Sequence, residues 1–86
     1  MTIQKELLKR DIAGETILVP VGKTVYDANG LFVLNELGSF LWDLLPGVEG
    51  EDDLVKAVLA EYEVTEDVAR GDIGEFLEQL RKMNII

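Results

Sequence analysis

Carboxylates are the residues of this chain best placed to do chemistry. Glu49, Glu51, Asp52 and Asp53 form one run, and Asp72 and Glu75 stand one helical turn apart. A calcium loop needs acids at alternate positions, a central glycine and a distant bidentate glutamate. The run at 49–53 lacks that spacing and reads instead as the acidic first turn of a helix, where the helix dipole favours negative charge. Asp72 and Glu75 could act as an acid–base pair. With 17 acids among 86 residues, however, such neighbours arise by chance, and both read as solvated helix residues. There is no histidine and no cysteine, which removes Ser/His/Asp and Cys/His nucleophiles, disulfides and thiolate metal sites. Gly71 and Gly74 stand close together but form no phosphate loop. The sequence predicts no enzyme, no metal and no cofactor.

Charge narrows the partners further. Seventeen acids against eight bases give a net charge of −9. Such a surface repels phosphate, which argues against nucleic acid and anionic membranes. It serves solubility, or attraction to a basic peptide or protein. No apolar run approaches the roughly 20 residues needed to span a bilayer. The first eight residues carry no cleavable signal pattern, so the expected location is cytoplasmic. A chain of 86 residues, 48% of them hydrophobic, predicts one domain over residues 1–86 with a modest core.

With little side-chain chemistry available, the backbone becomes the candidate. Gly30-Leu31-Phe32-Val33-Leu34 is an unbroken apolar strand that runs straight into a helix beginning at Asn35. If this strand lies at a sheet edge, its unpaired N–H and C=O groups can capture another peptide. Upstream, Leu8, Arg10 and Ile12 share one parity, Ala13-Gly14 signals a turn, and residues 15–21 form a β-branched run. Ile17, Val19 and Val21 point to one face, and Pro20 marks a strand end or edge. Thr24-Val25-Tyr26 suggests a brief strand, and Asn29-Gly30 a tight turn.

Three helices follow. Asn35 caps the first, whose stripe is Leu37, Phe40, Leu41, Leu44 and Leu45 before Pro46-Gly47 ends it. Trp42 falls off that stripe and is expected to cover a core edge. The second begins near Gly50, with Leu54, Val55, Val58, Leu59 and Tyr62 inward. The third is capped by Thr65 and buries Ala69, Ile73, Phe76, Leu77, Leu80 and Met83. Ile85 and Ile86 are expected to fold back on the core. Gly71 and Gly74 each disfavour a helix by about 1 kcal/mol relative to alanine. Such positions let another backbone approach, and Gly74 is placed beside the line of Val68, Asp72, Glu75 and Gln79. Strands followed by helices indicate an α+β fold.

The segments Ile17-Leu18-Val19-Pro20, Phe32 to Leu45, Leu54-Val55, Leu59 to Val64 and Asp72 to Leu80 resemble the PqqD family over nearly the whole chain. Its fold is the RiPP recognition element. The resemblance implies a winged-helix-like domain of three antiparallel strands followed by three helices. Such domains bind the leader segment of a ribosomally made precursor peptide, as an extra strand on the third strand, against the third helix. They present it to a modifying enzyme, often a radical SAM protein. Carried onto this chain, the augmented edge is Leu31, Phe32, Val33 and Leu34. Helical phase then places Val68, Asp72, Glu75, Phe76 and Gln79 on the opposite wall. The long Gly22–Gly30 connection looks more like the stand-alone PqqD-like proteins of other peptide clusters than the quinone-pathway members.

Two other readings compete. An acyl or peptidyl carrier needs a serine at a helix start, whereas Ser39, the only serine, lies a turn into its helix behind Gly38. A winged-helix DNA binder needs a basic third helix, and Glu66, Asp67, Asp72, Glu75 and Glu78 occupy it. An open β edge allows either a monomer or a homodimer.

Overall fold

The computed structural model describes residues 1–22 and 32–86. The expected strand at 24–26, the Asn29-Gly30 turn and Leu31 lie outside the described residues. Strands β1 (Leu7–Ile12) and β2 (Glu15–Pro20) form a hairpin, paired from Leu7↔Pro20 to Ile12↔Glu15. Ala13 and Gly14 make its two-residue turn with φ of 53° and 83°. Positive φ at both central residues suits the twist of a hairpin, and the Ala13 Cβ disfavours it. Strand β3 (Phe32–Leu34) pairs antiparallel with β2 through Thr16↔Leu34, Ile17↔Val33 and Leu18↔Phe32. The order β1-β2-β3 leaves β2 central and β3 at an edge.

Parity decides which side of the sheet meets the helices. Leu18, 1% exposed, and Leu34 join the core cluster, with Phe32 and Leu7 packed against it. Ile17 takes the other face. The face shared by Ile17 and Val19 is thus the one turned from the helices. The alternation alone could not choose, because β2 is apolar on both faces. Val21 lies beyond the strand's end.

Helix α1 (Glu36–Leu44) follows β3 directly. The Asn35 side-chain oxygen accepts from the Gly38 N–H at 2.7 Å and fixes the start. A single 3-10 turn, Leu45–Gly47, ends it. The buried stripe centres on Gly38, Leu41, Trp42 and Leu45, with Leu37, Phe40 and Leu44 half-buried around it. Trp42 therefore enters the core (8% exposed) rather than its edge. A short helix that is apolar over most of its circumference is buried on more than one side.

Helix α2 (Glu51–Glu61) starts at Gly50, where Asp53 accepts from the Glu49 N–H at 3.0 Å. It buries Leu54, Val55 and Val58, while Leu59, expected inward, is exposed. Tyr62 meets Phe40 edge-on at 5.4 Å. Helix α3 (Glu66–Lys82) is capped by Thr65, which accepts from the Val68 N–H at 3.3 Å. It buries Ala69, Ile73, Phe76, Leu77 and Leu80. Arg70 binds Glu66 within α3 and Asp52 on α2, both at 2.9 Å. After α3 the chain reverses at Asn84 (φ 59°). Ile85 then folds into the core, its N–H donating to Leu80 at 2.9 Å.

Candidate functional site

Strand β3 has β2 on one side and a cleft on the other. The cleft holds about 490 Å³ and separates β3 from α3. Phe32, Val33 and Leu34 line it from the strand, Asn35 from the cap, and Leu37, Gly38 and Leu41 from α1. Asp72, Glu75, Phe76 and Gln79 line it from α3. At its floor the Phe76 ring meets Phe32 edge-on, with centroids 6.3 Å apart. This contact joins the edge strand to the opposite wall.

Gly38 is the close-approach residue of this floor. A Cβ there would stand 3.1 Å from the Asn35 side-chain oxygen, 3.3 Å from the Phe76 ring and 3.4 Å from Leu34. Even alanine would have to push its neighbours. A glycine inside a helix disfavours it by about 1 kcal/mol, so its position here called for a packing reason. That was the signal by which the site's Gly38 could have been found. Leu37 and Leu41 were read only as stripe residues, and Asn35 only as a cap.

Of the nine residues expected at the site, seven line this cleft: Phe32, Val33, Leu34, Asp72, Glu75, Phe76 and Gln79. Leu31 lies outside the described residues. Val68 is exposed and is not among the lining residues. Three strand residues extend about 10 Å, whereas residues 68 to 79 of a helix extend about 16 Å. The wall drawn from helical phase is thus longer than the described part of β3. Gly74 is also displaced from its expected place. Two residues on a helix turn through about 200°, so Gly74 sits on the opposite flank of α3 from Asp72. A Cβ at Gly71 or Gly74 would meet nothing within 4 Å.

A second cavity of about 480 Å³ adjoins the first. The two share Val33, Leu34 and Asn35, and the second continues past Glu15, Thr16, Glu36 and Ser39. Ser39 is engaged: its hydroxyl accepts from Lys9 at 3.0 Å, and the same ammonium pairs with Asp43 at 2.6 Å. Among the described residues, no helix is long and apolar enough to cross a membrane.

An apolar floor, an edge strand and an opposing helix suit an extended peptide better than a small metabolite. Comparison with known proteins agrees. A solved structure described as "TbiB1 in Complex with the TbiA(beta) Leader Peptide" is similar to this chain, with a TM-score of 0.74 and 27% identity. The match covers 99% of this chain and 93% of the other. No curated protein matches. The family model for coenzyme PQQ synthesis protein D (PqqD) matches residues 15–86. Spanning β2, the cleft and all three helices, that match shows that the chain belongs to the PqqD family.

Proposed function

We propose that this chain is a non-catalytic adaptor that captures the leader of a ribosomally made precursor peptide. The leader adds as a strand to the edge at residues 31–34 and lies in the cleft against α3. The observation that carries this reading is the cleft itself, because it sets a wall opposite a strand that, among the described residues, pairs only with β2. Backbone hydrogen bonds along β3 then supply sequence-tolerant affinity, and side chains of alternating parity supply selectivity. The similarity to a protein solved with a leader peptide supports the same choice of ligand. A leader that is disordered when free has an ordering cost, so a micromolar Kd is expected. The bound peptide is handed to a modifying enzyme, of the radical SAM type by family analogy, in the cytoplasm.

The test is titration of the precursor leader encoded beside this gene into isotope-labelled protein. Amide shifts are expected at residues 32–35 and around Asp72, Glu75, Phe76 and Gln79. A saturating titration that leaves both segments unmoved would sink the reading.

A further inference from the structure

The charged residues lining the cleft are Asp72 and Glu75, and those lining the adjoining cavity are Glu15 and Glu36. Among the described lining residues there is no lysine or arginine. The ion pairs of the described residues are Lys9–Asp43, Arg70–Asp52, Arg70–Glu66 and Lys82–Glu78. None of the four carboxylates takes part. Two of the described bases are engaged elsewhere: Lys9 against α1, and Arg70 between α2 and α3. Among the described residues, the cleft between β3 and α3 thus has an apolar floor, formed by Phe32 and Phe76, with Asp72 and Glu75 as its charged lining.

Such a groove is complementary to one kind of peptide. Resting on the adaptor reading, we infer that Asp72 and Glu75 select a leader segment carrying a lysine or arginine beside an aromatic or large aliphatic anchor. The anchor sits on the Phe32–Phe76 floor, and the cation reaches the carboxylates of α3. In an added strand, side chains of one parity enter the cleft and recur about every 7 Å. The two residues therefore stand two or four positions apart, never one or three. A pair between solvent-exposed charges strengthens binding up to about fivefold. Two such pairs give about tenfold at low salt, and the gain shrinks as ionic strength rises.

Selection of random dodecapeptides by mRNA display on the full chain tests this. Two variants run in parallel: Asp72→Asn/Glu75→Gln, and Glu49→Gln/Glu63→Gln, which removes the same charge outside both cavities. All four residues are exposed, so folding is expected to persist and is checked by circular dichroism. The wild type and the second variant should enrich basic residues two or four positions from an apolar anchor. The first variant should keep the anchor and lose the basic bias. Anisotropy with one enriched, labelled peptide should show about a tenfold loss for the first variant and under twofold for the second. An unchanged bias in the first variant, or an equal loss in both, overturns the inference and leaves the adaptor reading standing. A library that yields no peptide shifting residues 32–35 overturns both.

Discussion

Among the described residues, both outer strands of the sheet have a strand neighbour on one side only, yet they present different surfaces. β1 carries Lys9, Arg10 and Asp11 within six residues. Charged side chains on an edge discourage pairing with another chain. β3 carries no charge, and Val33 is 57% exposed beside the cleft. No residue of β1 lines either cavity. An outer strand does not by itself make a cleft. What sets β3 apart is the wall of α3 opposite it and the floor that Gly38 keeps low.

The largest effect should come from proline scanning of the two edges. In an antiparallel pair, successive residues direct their N–H groups to opposite sides. Proline at position 33, or at 32 and 34, removes the outward donors of β3 and should weaken leader binding more than tenfold by anisotropy. At the positions of the other parity it breaks pairing with β2 and should unfold the edge. Proline at Arg10 or Lys9 should change stability without changing affinity in whichever variant remains folded. Equal losses of affinity at both edges would erase the distinction drawn here.

The next effect tests the floor. Gly38→Ala should lower leader affinity severalfold, because its Cβ displaces Phe76 and Leu34. Gly74→Ala should leave affinity alone and stabilise the protein to urea by about 1 kcal/mol, since open space surrounds the new methyl. Asn35→Ala should cost about 1 kcal/mol by removing the cap bond to Gly38. It should also loosen the end of β3, seen as faster amide exchange at residues 33–38. The smallest effect belongs to the guarded edge: Lys9→Met removes a partly exposed pair with Asp43 and should change stability by under about 1 kcal/mol.

The helical part of the fold was legible because its signals are local. Asn35 and Thr65 act as the caps their residue types indicate, and Ile73, Leu77 and Leu80 repeat at helical spacing. The run of Leu31 into Asn35 also marked where strand becomes helix. What escaped depended on contacts distant in sequence. Leu18 and Ile17 are both apolar, and only the placement of the helices decides which parity is inward. Trp42 is drawn inward for the same reason. Gly38 stands in the sequence as a weak helix residue, and the ring of Phe76, far along the chain, gives it meaning. Val68 has the correct phase for the wall but is not among the residues lining the cleft.

The described part of β3 also bears on how long a docked peptide would stay. One or two of the three described residues of β3 turn their backbone groups outward, so they offer a docked peptide at most four hydrogen bonds. Each is worth about 0.5–1.5 kcal/mol net. On the adaptor reading proposed above, a micromolar Kd and a typical association rate of about 10⁶ M⁻¹s⁻¹ give a complex that dissociates in about a second. For the proposed adaptor, residence of that order suits a relay better than a store: a peptide would be held long enough to meet an enzyme and released soon enough for the next one to bind.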